Sequence, residues 1–188
     1  YGANGILIWN AFDAAKIEAE IARCRQFFPN VNTLRIWLSF DAYILNPNGF
    51  CANFERYLSI LENFQFKAIP VLFNNWHGIP DFGGISEEMI RYWFRDFGKK
   101  GTSPEYIFQD YLAKIVGAHS QDTRILIWDL CNEPSNNGSP EIIQEWLLHT
   151  YRCCKQLKAT QPIGVSACIL PGELNRLVNK SDVLLIHP

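Results

Sequence analysis

Glu133 lies in the run Trp128-Asp129-Leu130-Cys131-Asn132-Glu133-Pro134, where an apolar stretch gives way to an amide, a carboxylate and a proline. A carboxyl group placed at such an end can give and take a proton. Glycoside hydrolysis asks for an acid that protonates the departing oxygen and a second carboxylate opposite it, about 5 to 5.5 Å away when configuration is retained. Glu133 suits the first role, and Asn132 beside it is placed to hydrogen-bond a sugar hydroxyl next to the reacting carbon. The same three residues also read as a strand end made of turn-prone types. Polar residues gather at the ends of other apolar runs as well: Arg35, Ser39 and Asp41, then Asn74-Asn75-Trp76-His77, Trp9-Asn10, and His187.

The elements that must carry these residues alternate between short apolar runs and longer segments of helical periodicity, the pattern of parallel strands joined by helical crossovers. Strands are expected at Gly5 to Trp9, Asn32 to Phe40, Phe66 to Phe73, Arg124 to Leu130, Ile163 to Cys168 and Asp182 to Ile186. In the second, Leu34, Ile36 and Leu38 share one face while Arg35, Trp37 and Ser39 share the other, so a charge points to one side of the sheet. Asp13 offers an N-cap for a helix with Ile17, Ile21, Cys24 and Phe28 on its apolar face, and Phe54, Tyr57, Leu58 and Leu61 mark the next. Ser103-Pro104 and Ser139-Pro140 are helix starts in cap-then-proline order. The first leads into a stripe of Phe108, Tyr111, Leu112 and Ile115, the second into Ile143, Trp146, Leu147, Thr150 and Cys154. Gly78 to Thr102, with a short helix around Glu87 to Phe94, is longer than a plain connection needs, and a short helix is expected around Glu173 to Val178.

These units place the chain in the α/β class, as an open doubly wound sheet or as part of a (β/α)8 TIM barrel. In both, ligand sites lie at the carboxyl ends of the strands, where the polar residues gather. No GxGxxG follows the first strand and no GxxxxGK[ST] occurs, which removes the usual support for dinucleotide or nucleotide binding, and a GxSxG nucleophile elbow is absent. A complete barrel takes about 250 residues, so residues 1–188 are expected to form a single catalytic-domain fragment with about six of the eight units. With 48% hydrophobic and 19% charged residues, the composition is that of a packed domain. The net charge of −2 is scattered, which argues against a nucleic-acid partner.

No apolar run approaches the roughly 20 residues of a membrane span. Tyr1 is not a methionine and no leader follows it, so the compartment stays open. The six Cys form no CxxC pair and read as small core residues, and the four His lack ligand spacing, so neither a metal nor a cofactor is expected. Aromatic content is 14%, with six Trp that serve either a core or flat sugar-binding faces.

Several segments in order resemble the clan A glycoside hydrolases, and within them family 5-like, cellulase-type barrels. They are Phe12-Asp13, Asn32-Thr33-Leu34-Arg35-Ile36-Trp37-Leu38, Pro70-Val71-Leu72-Phe73, Ile127 to Pro134, and Ser181-Asp182-Val183 leading to His187. The resemblance spans nearly the whole chain, and its specific part is the Trp-Asp-Leu-x-Asn-Glu-Pro stretch. It implies a carbohydrate substrate, with Glu133 as acid/base and Asn132 as partner of the sugar 2-hydroxyl. Arg35 is implied at the floor of the site, holding the nucleophile ionised, and His187 beside the acid/base. Asn74, Trp76 and His77 are implied at the third-strand end, where relatives bind the sugar. The chain departs from the pattern at Ser39, where relatives often carry a His. It also has no seventh strand, where relatives carry the nucleophile Glu. Glu141, Glu145 and Glu173 fall away from strand mouths, so the nucleophile is expected outside this sequence. The alternatives are a non-catalytic carbohydrate-binding barrel and an isomerase or aldolase with Glu133 as base, although Lys67 lies at the wrong end of its strand for a Schiff base. No protein partner is implied.

Overall fold

The computed structural model describes residues 7–75, 103–136, 139–168 and 180–187. Five parallel strands form one sheet in the order of the chain: β1 (Thr33–Trp37), β2 (Lys67–Asn74), β3 (Trp128–Asn132), β4 (Ile163–Cys168) and β5 (Val183–His187). The described helices are α1 (Leu7–Asn10) and α2 (Ala14–Phe27) before the first strand, α3 (Phe40–Leu45) and α4 (Pro47–Asn63) between β1 and β2, α5 (Ser103–Leu112) between β2 and β3, and α6 (Pro140–Gln156) between β3 and β4. Strand order without reversal, with described helices in the connections from β1 through β4, is the arrangement of a (β/α)8 barrel and excludes the doubly wound sheet.

The helix starts follow from their capping residues. The Asp13 carboxylate accepts from the Lys16 amide at 3.0 Å, the Asn46 side chain from the Gly49 amide at 3.0 Å, and Pro47 and Pro140 occupy first-turn positions where no amide is needed. Ser39, expected to share a face of the second strand with Arg35 and Trp37, lies beyond the end of β1 and caps α3 by accepting from the Ala42 amide at 3.2 Å.

The core lies between the sheet and the helices. Phe54, Tyr57, Leu58, Ile60 and Leu61 bury one side of α4, and Phe73 of β2 meets Phe108, Tyr111 and Trp146 at centroid distances of 5.8, 5.5 and 5.1 Å. The Tyr111 hydroxyl donates to the Leu72 carbonyl at 3.0 Å, so the ring is locked onto the strand rather than only packed against it. Below α5 the chain runs through a π-helical turn, Ala113–Gly117, that buries Ile115 and Val116.

Three expectations need correction. The run Gly5 to Trp9 is not a strand where it is described, because Leu7–Asn10 is a helical turn. Trp9 wedges against Phe50, Phe54 and Tyr57 of α4 and its carbonyl accepts from Asn53 at 3.1 Å, so tertiary packing overrides the local β preference. Phe28, expected on the buried face of α2, is 60% exposed, since it is the C-cap residue at φ −128° and has left the helical path. The fourth expected strand, from Arg124, begins only at Trp128, with Ile125 touching β2 through one isolated bridge to Ala68. The expected helices at Glu87 to Phe94 and Glu173 to Val178 lie outside the described residues.

Cys131 and Cys154 are buried, in keeping with a packing role, and burial pushes both thiols up. No helix among the described residues is long and apolar enough to cross a membrane.

Candidate active site

Arg35 organises the carboxyl ends of the strands. It projects from β1, where the neighbouring side chains Leu34 and Ile36 pack elsewhere, and its Nε and Nη2 donate to Asp129 Oδ2 of β3 at 3.0 and 2.8 Å. Nη2 also donates to Asn132 Oδ1 at 2.8 Å and to Ser166 Oγ of β4 at 3.0 Å. The Ser166 hydroxyl in turn donates to Asp129 Oδ2. One guanidinium thus ties β1 to β3 and β4 at one level, across β2. The Asp129 carboxyl is fully buried, and burial pushes its pKa up while Arg35 and the Ser166 hydroxyl pull it back.

Asp129 and Asn132 are three residues apart, yet both meet Arg35. Strict alternation would send them to opposite faces of the sheet. The β3–β4 register explains this: Asp129 pairs with Gly164 and Asn132 with Ser166, so β3 spends three steps where β4 spends two. Such an irregularity re-aims side chains, and this one brings the Asn132 amide onto the Arg35 side. Its other end is also held, since Asn132 Nδ2 donates to Asn74 Oδ1 of β2 at 3.0 Å.

Glu133 follows directly, at a φ of 47°, in the left-handed region that non-glycine residues seldom occupy. Its amide is tied to the Ser166 carbonyl at 2.8 Å. The carboxylate, mostly shielded, lies with Oε1 2.9 Å from His187 Nδ1 of β5 and with Oε2 accepting from Asn136 Nδ2 at 2.6 Å. Asn75 Nδ2 donates to the Pro134 carbonyl at 2.5 Å and its amide to the Asn132 carbonyl at 3.0 Å, which anchors the turn from both ends.

The structure therefore brings Glu133, Asn132, Arg35, His187 and Asn74 together. Trp76 and His77 lie outside the described residues. Asp129, Ser166 and Asn136 join the group without having been singled out. Asp129 was the only one with a visible signal, as a charge inside an apolar strand run. Elsewhere, Glu55, His119 and Asp122 approach one another as metal ligands do, but the Arg124 guanidinium bonds to Glu55 at 2.7 and 2.9 Å and to Asp122 at 2.6 Å. A cation of the protein already occupies that cluster, beside β2 at the ends of the strands opposite Glu133.

What the arrangement offers is a mostly shielded carboxylate beside an imidazole, with an amide fixed at its shoulder and a partly buried cation beneath. The profile of the cellulase family, glycosyl hydrolase family 5, matches residues 28–177. The mannan endo-1,4-β-mannosidase A of Hypocrea jecorina is 27% identical over 103 residues, covering 51% of this chain and 22% of that protein. Among solved structures, the endo-1,4-β-mannanase of Eisenia fetida superposes with a TM-score of 0.61 at 14% identity, covering 87% of this chain and 53% of that one. An exo-β-1,4-mannosidase from an Opitutaceae bacterium superposes with a TM-score of 0.66 at 15% identity, covering 86% and 30%. The chain spans about half or less of the length of each of these relatives, and the superpositions show that it shares their fold.

Proposed function

The chain belongs to the cellulase family, glycosyl hydrolase family 5, and from that premise we propose that it carries the proton-transfer side of a retaining glycoside hydrolase site, with Glu133 as acid/base. The single observation that supports this best is the Glu133 carboxylate at the strand mouths, with His187 on one oxygen and the Arg35-held Asn132 amide beside it. In the first step Glu133 protonates the departing glycosidic oxygen, and in the second it takes the proton of the attacking water. His187 orients the carboxyl group, and Asn132 meets the 2-hydroxyl of the sugar at the cleavage point. Arg35, whose charge is neutralised within the sheet by Asp129, lies where it can also face the second carboxylate, which we assign to a later strand of the complete protein. Trp76 and His77, next in the chain after Asn74 and Asn75, are proposed to contact the sugar. The names of the three relatives make a β-1,4-linked mannan the first substrate to try.

The test is Glu133→Gln in the complete protein, since the amide is nearly isosteric and cannot transfer the proton. Hydrolysis of a plain glycan should fall by about 10²- to 10⁴-fold, the usual worth of general acid–base catalysis. An aryl glycoside whose leaving group is already a stable anion needs little protonation, so its first step should survive, and azide should restore turnover by replacing the activated water. Equal loss on both substrates without azide rescue removes Glu133 from this role. A native protein that binds glycans and hydrolyses none would be a carbohydrate-binding barrel instead.

A further inference from the structure

A guanidinium can only donate hydrogen bonds, so the end of the Asn132 amide that faces Arg35 must be its oxygen. That choice decides what Asn132 can offer a substrate. With Oδ1 taken by Arg35 Nη2 at 2.8 Å and one Nδ2 hydrogen taken by Asn74 Oδ1 at 3.0 Å, a single N–H is left to donate. The amide is therefore oriented from below by Arg35, and Arg35 is itself held from below. Asp129 Oδ2 accepts from both its Nε and Nη2, and Ser166 bridges the two by accepting from Nη2 and donating to Asp129. Asp129 and Ser166 are both fully buried, and the hydrogen bond between Glu133 and Ser166 runs from the Glu133 backbone amide to the Ser166 carbonyl.

We propose that Asp129, clamped by Ser166, is a positioning residue for the sugar 2-hydroxyl contact: it fixes Arg35, and Arg35 fixes which end of the Asn132 amide meets the substrate. This rests on the hydrolase reading above. Removing the carboxylate removes the acceptor that holds Arg35 at both Nε and Nη2, and the Asn132 oxygen is left with a less rigid donor. The contact to the 2-hydroxyl strengthens in the transition state of glycoside cleavage, so its misalignment should appear in the rate of that step rather than in ground-state binding. The charge at position 129 also serves the fold, because removing one member of a buried pair leaves the other uncompensated. The test must separate the two effects.

The experiment compares kcat/KM in the complete protein for an aryl glycoside and its 2-deoxy counterpart, in the native protein and in Asp129→Asn, Ser166→Ala and Asn132→Ala. Asp129→Asn should lose about 10- to 100-fold on the 2-hydroxy substrate and less than about 3-fold on the 2-deoxy one, as expected for a contact realised only in the transition state. Ser166→Ala, which keeps both charges and removes only the bridging hydroxyl, should show the same selective pattern at smaller amplitude and serves if Asp129→Asn does not fold. Asn132→Ala is the reference for complete loss of the contact. Equal losses on both substrates for Asp129→Asn and Ser166→Ala, with Asn132→Ala still selective, would overturn the positioning role and leave the hydrolase reading intact. Loss of selectivity in Asn132→Ala itself would place the failure in the assignment of Asn132, and the proposal for Asp129 would fall with it.

Discussion

Replacing Glu133 by Ala and by Gly isolates the backbone at a site position whose conformation is unusual. Both substitutions delete the carboxylate, so both lose the bonds to His187 and Asn136, and those losses cancel in the comparison. What remains is the φ of 47°. A residue with a Cβ pays about 1–2 kcal/mol for the left-handed region, while glycine costs about 0.5–1 kcal/mol more than alanine in chain entropy wherever it stands. The difference leaves Gly more stable than Ala by about 0.5–1 kcal/mol at position 133, the reverse of the order at an ordinary strand or helix position. Urea unfolding of the two variants of the complete protein measures it, and with a slope of about 1–3 kcal/mol per molar the Gly midpoint should lie about 0.2–1 M higher. The native fold should be checked by circular dichroism in both. A midpoint for Ala equal to or above that of Gly would show that residue 133 does not occupy the left-handed region. The reasoning that a twisted backbone turns the Glu133 side chain toward His187 would then fail.

Two further outcomes follow from groups outside the site. Burial raises the Asp41 carboxyl from its ordinary 3.8 to about 6, so its proton is held more tightly folded than unfolded, and stability is lost as pH rises from about 4 through about 6. The separation would correspond to about 3 kcal/mol if fully expressed, and for a half-buried group solvent screening cuts this to about 1 kcal/mol. Asp41→Asn should therefore leave the melting temperature unchanged near pH 4 and raise it at pH 7, and a gain independent of pH would contradict the cause. Arg124→Gln removes the cation between Glu55 and Asp122, which it holds below the ordinary carboxylate range by hydrogen bonding. Leaving the two carboxylates facing each other should cost about 2 kcal/mol at pH 7, between the worth of an exposed pair and that of a broken buried one. The deficit should shrink below pH 4 as they protonate, and a loss unchanged at low pH would point to packing by the Arg124 stem instead.

Periodicity made most of the architecture legible, because strands and helices that face a core must write their contacts into the sequence at spacings of two or three to four residues. Asp13, Ser103-Pro104 and Ser139-Pro140 marked helix starts within a residue or so, because a side-chain cap, as at Asp13, and a first-turn proline, as at Pro140, are local chemistry. Legibility stopped where a distant partner decided the outcome. Leu7–Asn10 carries strand-forming residues and is helical because Trp9 has α4 to pack against, and nothing within ten residues of it says so. Phe28 shows the same limit at a helix end, where one residue leaving the helical path takes its side chain out of the core.

The site was legible in its residue types and opaque in its geometry, for a reason specific to β3. Read by alternation, Asp129 and Asn132 belong to opposite faces, so a reader who puts Asn132 in the site must put Asp129 against the helices. A charged group there would be buried without a partner, a cost large enough to argue against the strand itself. The extra residue that β3 inserts against β4 removes the contradiction by bringing both to Arg35. No turn-forming glycine or proline marks it, since the three residues from Leu130 to Asn132 are an aliphatic, a thiol and an amide. The left-handed turn at Glu133 is equally unmarked, because the residue that adopts it is one that local preference would not choose. A backbone that holds both departures side by side must be fixed by bonds from outside the strand. Those bonds are present: the Ser166 carbonyl on the Glu133 amide, Asn75 on Asn132 and Pro134, and the Arg35 guanidinium across three strands. The irregular stretch is thus where the sheet gives up regular pairing and where Asp129, Asn132 and Glu133 obtain their directions, so a substitution that restored regular alternation in β3 would be expected to keep the fold and misdirect the amide and the carboxylate together.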